Sequence, residues 1–130
     1  MIGLGSDILD IRRIEKTLLR FGDRFKKRIF TKYEINKCEK RKLSVECFAK
    51  RFAAKEAAAK ALGTGFRKNL NFKDISIRNT KYGKPYIKIN NKIRNIVMKR
   101  FKTKKFNILL SIADEKNHSI AFVILEKIWI

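Results

Sequence analysis

Acidic residues are scarce in this chain: 12 Asp and Glu stand against 33 Lys and Arg, for a formal net charge of +21. So lopsided a balance argues for an anionic partner or ligand, whether nucleic acid, a membrane surface, a phosphorylated substrate or an acidic protein. Codon bias toward Lys, Ile and Asn is an equally simple source of the net charge, though less so of particular clusters. Histidine occurs once, as His118, and cysteine twice, as Cys38 and Cys47. That excludes zinc-ligand spacing and a disulfide framework, so both thiols are expected to be reduced, structural or surface cysteines in a cytosol. No run approaches the ~18 apolar residues of a membrane span. Met1 to Ile11 lacks a basic start and is interrupted by Asp7 and Asp10, which excludes a secretory signal and leaves a cytoplasmic protein as the expectation.

What is present suffices for a core. Hydrophobic residues make up 45% of the 130, ten of them Phe, and no repeat or low-complexity linker divides them. A chain this long buries roughly two thirds of its unfolded surface, and we expect residues 1–130 to form one domain. MIGLGSDI reads as a buried strand ending at Asp7, with Gly3 and Gly5 where another backbone or a ligand comes close. Ile11, Ile14, Leu18 and Phe25 keep helical spacing, with Gly22 as a break. Thr31 with Glu34 three residues on is a capping box, and a weaker signal at Ser44 precedes a long helix from Val45 to Leu62, stopped by Gly63. DISIRN and YIKIN flank the turn TKYGKP as a hairpin, and a basic helix follows around Ile93, Ile96, Val97 and Phe101. FNILLSIAD and HSIAFVILE read as a second antiparallel pair. From Ile120 to Leu125 that last segment is apolar on both alternating sets, so both faces should be covered. The architecture expected is α+β, an antiparallel sheet packed with helices, one of them long and central.

Chemistry concentrates on the long helix. Glu56 and Lys60 sit at i and i+4 and project from one face, where a solvated ion pair is the simplest reading. Two features point further. Ala53, Ala57 and Ala61 are small enough to admit another backbone, and Asp7 at the end of an apolar strand calls for a compensating cation. Two carboxylates and a lysine suit Mg²⁺ held against a phosphate, because Mg²⁺ takes one or two carboxylates and fills its shell with water and substrate oxygens.

GLGSDI (Gly3 to Ile8), RFAAKEAAAKALGTG (Arg51 to Gly65), GKP (Gly83 to Pro85) and SIADEKNHSIAFVILE (Ser111 to Glu126) follow one another in a familiar order. Across essentially its whole length the chain resembles the holo-acyl-carrier-protein synthases, the small bacterial class of 4′-phosphopantetheinyl transferases. The resemblance implies transfer of phosphopantetheine from coenzyme A to a serine of an apo acyl carrier protein, releasing adenosine 3′,5′-bisphosphate, in support of fatty acid synthesis. It implies Asp7 and Glu56 as Mg²⁺ ligands, and Lys60 beside the coenzyme A pyrophosphate as stabiliser or proton donor to the leaving group. Arg51, Gly65, Lys84 and Pro85 match positions lining the coenzyme site. The base for the carrier serine is left open between Glu56 and a water on the metal. Arg13, Arg20, Arg24 and Arg28 match basic positions that dock the acidic helix of the carrier protein, with a plain solvated basic face as the alternative. A homotrimer with sites between subunits is also implied, and Arg51 lies on another side of its helix from Lys60, as a shared site requires.

The chain departs from the family at Asp114, where many members carry histidine, at Ala59, where a hydroxyl residue is common, and at His118, which reads as a turn residue. A nucleic-acid-binding module is the competing class. It is disfavoured because the phenylalanines fall at core periodicity and no aromatic stacking strand or helix-turn-helix signal appears. No specific nucleic-acid or membrane partner is therefore expected.

Overall fold

In the computed structural model, which describes residues 1–65 and 70–128, the first strand β1 (Gly3–Asp10) runs past Asp7. The expected strand end is corrected. Ile8, exposed, and Leu9, buried, carry the strand on, and Asp10 closes it by accepting the Arg12 N–H at 2.9 Å as the N-cap of α1 (Ile11–Phe21). Gly22, at φ +51°, separates α1 from α2 (Asp23–Ile29), the break its sequence announced. The capping box is present at α3 (Lys32–Glu39): Thr31 Oγ1 accepts from Glu34 N–H at 3.3 Å, and Glu34 Oε1 accepts from Thr31 N–H at 2.8 Å. Ser44 is no cap. It is the first residue of α4 (Ser44–Leu62), whose start has no side-chain cap, and Gly63 at φ +77° ends the helix with its N–H on Lys60 O at 3.0 Å.

The hairpin forms as β2 (Ile75–Asn79) and β3 (Pro85–Ile89), paired so that Asn79 faces Pro85. After α5 (Asn91–Phe101) come β4 (Phe106–Asp114) and β5 (His118–Lys127). The first strand pairs with the last, giving a three-stranded antiparallel sheet in the order β1-β5-β4 beside the two-stranded β2-β3 sheet.

Helix α4 runs through the centre, its alanines and its charged residues both spread round the axis, and most of it is buried, Arg51 and Lys55 included. Its alanines let β1 lie directly on it. A Cβ built on Gly5 would stand 2.6 Å from Ala61 N and nearer still to Ala57 O, and one on Gly3 would run into Ala61 O. The close approach of another backbone, expected from both the glycines and the alanines, is this contact. The same face of the sheet buries Ala121, Val123 and Leu125 of β5.

Among the described residues nothing covers the opposite face. Leu4 and Ile8 of β1, Leu109 of β4 and Phe122 of β5 lie in adjacent register on it and are 57%, 65%, 47% and 50% exposed. The two-sided apolar pattern of β5 thus has one set in the core and one on an open sheet face; Trp129 and Ile130, which continue the segment, lie outside the described residues.

The cysteine expectation is also corrected. Cys38 and Cys47 are joined in a disulfide, and both are buried. The short turn between α3 and α4 brings them to a Cα separation of 5.4 Å, inside the range a disulfide needs. Neither is a surface residue and neither is a free thiol.

Candidate functional site

Because β1 lies flat on α4, Asp7 faces the helix rather than solvent, and its side chain is 17% exposed. Lys60, in the last turn of α4, donates to Asp7 Oδ1 at 3.2 Å and to Ser6 O at 2.9 Å. Its contact is with β1, not the helical pairing with Glu56 that the i, i+4 spacing suggests. Glu56, one turn earlier on the same face, has its pKa raised by burial first and then by the charge of Asp7, with Lys60 opposing. Two carboxylates and one ammonium therefore meet where the strand crosses the helix. Gly65 stays at this end of α4, its N–H on Ala59 O at 3.3 Å with φ +60°. Ala59 itself is buried.

Arg51 lies nine residues before Lys60, about 13 Å along the axis and half a turn round it. It is buried against β2: one guanidinium nitrogen donates to Asn79 Oδ1 at 2.7 Å, the other to Cys47 Sγ at 3.1 Å, and Nε has no partner among the described residues. Burial pulls its pKa down, and the charge of Glu34 is the main opposing influence. Arg51 belongs to a hollow of about 280 Å³ that also takes Arg41 and Lys50, with Asn79, Gly83, Pro85 and Asp114 on its walls. Asp114 is ion-paired to Lys50 at 3.4 Å. Lys84 sits between Gly83 and Pro85 in the exposed turn, its N–H on Thr80 Oγ1 at 3.1 Å.

The residues assigned to one site in the sequence therefore fall into two groups on opposite sides of α4. Asp7, Glu56, Lys60 and Gly65 form one; Arg51, Pro85 and the turn bearing Lys84 form the other. Asn79, Arg41 and Lys50 were passed over. Asn79 had a readable signal, since the hairpin register sets it opposite Pro85; the two cations had none beyond charge.

Arg13 and Arg20 on α1 and Arg24 and Arg28 on α2 are all exposed. Arg24 and Arg28 edge a hollow of about 320 Å³ floored by Phe21 and Phe25. Phe25 is half-buried: it packs against the core, with Phe30 and Phe52 rings 5.9 and 6.2 Å away, and lines the hollow as well. His118 closes the β4–β5 turn on Glu115 at 2.7 Å, the turn role expected of it.

The model of the 4′-phosphopantetheinyl transferase superfamily matches residues 3–123. A holo-[acyl-carrier-protein] synthase of Pelagibacter ubique is 50% identical over 127 residues, which is 98% of each chain. The crystal structure of the holo-[acyl-carrier-protein] synthase from Neisseria meningitidis superimposes with a TM-score of 0.86 at 37% identity, over 98% of this chain and 100% of that one. The Helicobacter pylori enzyme in complex with coenzyme A gives 0.78 at 33% identity, over 95% and 99%. With a family match over nearly its whole length, 50% identity to one relative and the same fold as another, the chain belongs to the holo-acyl-carrier-protein synthases of the 4′-phosphopantetheinyl transferase superfamily.

Proposed function

We propose that the protein transfers 4′-phosphopantetheine from coenzyme A to a serine of an apo acyl carrier protein, leaving adenosine 3′,5′-bisphosphate. The observation that carries this reading is the meeting of Asp7, Glu56 and Lys60 at the β1–α4 crossing, in a family whose Helicobacter pylori member has been captured with coenzyme A. Incubating the purified protein with coenzyme A, Mg²⁺ and apo carrier protein should add the phosphopantetheine mass to the carrier serine. An unchanged carrier mass would remove the activity.

The residues suit Mg²⁺. Among the described residues no cluster of three His, Cys, Asp or Glu forms a complete metal cage, and Mg²⁺ does not ask for one. Burial and then the Asp7 charge raise the Glu56 pKa, and the second of these is what a divalent cation relieves, so Asp7 and Glu56 would hold the ion. When bound, Mg²⁺ supplies charge neutralisation at the pyrophosphate. Lys60 lies beside Asp7 with its side chain half exposed, placed to donate to the departing bisphosphate and stabilise its charge. Glu56 is this chain's own candidate for taking the serine proton, a water on the metal being the other.

A pH-dependent stability follows. A carboxyl group whose pKa is higher in the folded than in the unfolded state favours unfolding once it ionises, so the metal-free protein loses this contribution as pH rises through the Glu56 pKa. Mg²⁺ binds the ionised form only. It should raise Tm above that pKa, progressively less as pH falls through it, and not at all in Glu56→Gln. Thermal melts with and without Mg²⁺ across pH 4 to 8 check this; a pH-independent Mg²⁺ effect would contradict it.

We further propose that the second half of each site comes from a neighbouring subunit in a homotrimer. The Arg51 group lies across α4 from Lys60, Arg51 keeps a buried unpartnered N–H, and the sheet presents an open apolar face for a neighbour to cover. Arg51, Lys84 and Pro85 of one chain would then meet the coenzyme held by Asp7, Glu56, Lys60 and Gly65 of the next.

The exposed arginines of α1 and α2 fit an acidic carrier-protein helix, with Phe21 and Phe25 as an apolar floor. Reversing Arg20 and Arg24 to Glu should raise KM for the carrier about tenfold or more and flatten its salt dependence. Coenzyme A affinity should hold. Equal weakening toward both substrates would show that this face is not the carrier dock. Both substrates place the reaction in the cytoplasm; no helix among the described residues is long and apolar enough to cross a membrane.

A further inference from the structure

Glu34 has a part in the fold that its capping pattern does not reveal. Its carboxylate is fully buried and receives three donors: Thr31 N–H at 2.8 Å and the Lys55 ammonium at 2.8 Å on Oε1, and Ile77 N–H at 2.9 Å on Oε2. Only an acceptor-only group satisfies all three; glutamine would turn its NH₂ toward one of them. Lys55 is as deeply enclosed, with further bonds to Phe72 O at 2.9 Å and to Ile75 O. Desolvating such a pair costs about as much as its attraction returns, so net stability is a poor reason for it.

Both grips of Glu34 lead to the Arg51 hollow. Through Lys55 it holds α4 at the position one turn from Arg51, on the same face. Through Ile77 it holds β2 two residues before Asn79, again on the same face. Arg51 then closes onto Asn79 Oδ1 at 2.7 Å, and Asn79 Nδ2 donates to Gly83 O at 3.1 Å, at the turn that carries Lys84 and Pro85. We propose that Glu34 is the positioning residue of the coenzyme half-site, locking α4 to β2 so that Arg51, Asn79 and the Gly83–Pro85 turn present one fixed surface to coenzyme A. This rests on the reading of that hollow as part of the coenzyme site.

The test measures KM for coenzyme A, kcat, Tm and the Mg²⁺-induced rise in Tm on the full chain. Three variants are compared: Glu34→Gln, the charge-free pair Glu34→Leu with Lys55→Met, and Arg51→Ala. Glu34→Gln should raise KM for coenzyme A about tenfold or more, as a misplaced binding group does, while Mg²⁺ still raises Tm because Asp7 and Glu56 are untouched. The charge-free pair should regain part of the lost Tm, since it holds no unpaired charge although the Thr31 and Ile77 N–H groups lose their acceptor, yet keep the raised KM. If Glu34→Gln does not fold, the charge-free pair decides alone. A normal KM in a folded Glu34 variant, or a KM that recovers together with Tm, would overturn the proposal and leave Glu34 a structural residue. A normal KM in Arg51→Ala would overturn the coenzyme reading of the hollow, and the positioning role with it; a raised KM in Arg51→Ala alone would overturn only the positioning role.

Discussion

Asp7→Asn and Glu56→Gln should each cut transfer by at least about 10³-fold while the protein stays folded, since removing one preorganised charge-stabilising group commonly costs 10²- to 10³-fold and these two share one task. Each replacement is nearly isosteric and opens no cavity. Asn at position 7 retains an oxygen for Lys60, which now donates to Asp7 at 3.2 Å. Glu56→Gln goes further, because burial and the Asp7 charge both disfavour ionised Glu56 in the fold. The metal-free Gln variant should therefore melt no lower than the parent at neutral pH. Loss of activity without loss of stability separates a chemical role from a structural one. Near-normal turnover by either variant at saturating Mg²⁺ would end the assignment.

Gly5→Ala should have the largest effect on stability. The added Cβ meets Ala57 O and Ala61 N, which belong to the backbone of the central helix rather than to a side chain that can swing away. Overpacking usually costs 1–3 kcal/mol, and here neither backbone can yield without separating β1 from α4, so at least about 3 kcal/mol is expected. Gly65→Ala is the control: nothing lies within 4 Å of its added Cβ, leaving only the strain of φ +60°. Denaturant melts of the two variants give the comparison. A Gly5→Ala protein as stable as Gly65→Ala would mean that β1 does not lie on α4 as described.

That contact was legible in the sequence because it is written twice, as glycines at positions 3 and 5 and as alanines at positions 53, 57 and 61. The capping box at Thr31 and Glu34, the stop at Gly63 and the β2–β3 hairpin were legible too, each being a local pattern whose partners lie within a few residues. What escaped was non-local. The pairing of β1 with β5 joins the two ends of the chain, and neither strand's own alternation names its partner. The Cys38–Cys47 bond depends on how tightly α3 turns into α4, which two thiols nine residues apart do not disclose. The buried role of Glu34 was hidden behind its capping role, because Lys55 and Ile77 lie far along the chain.

The candidate site divided in the same way. Asp7, Glu56 and Lys60 came together as expected from motif and helical spacing. Arg51 was read as lying on another side of the helix, and it does, but its burial against Asn79 was not foreseen, since an arginine is ordinarily exposed. The Arg51 and Lys60 groups stand half a turn apart and about 13 Å along one buried helix, and the proposed homotrimer would bring them together across an interface.

Subunit mixing tests that claim most directly. Glu56→Gln and Arg51→Ala, each strongly impaired alone at coenzyme A well below the raised KM, are to be combined under conditions that allow chains to exchange, and transfer to apo carrier protein measured. A site shared between neighbouring chains predicts partial recovery, because some interfaces receive an intact Asp7–Glu56–Lys60 group from one chain and an intact Arg51 group from the other. No recovery after demonstrated exchange, or full activity from a protein that sediments as a monomer, would contradict the account.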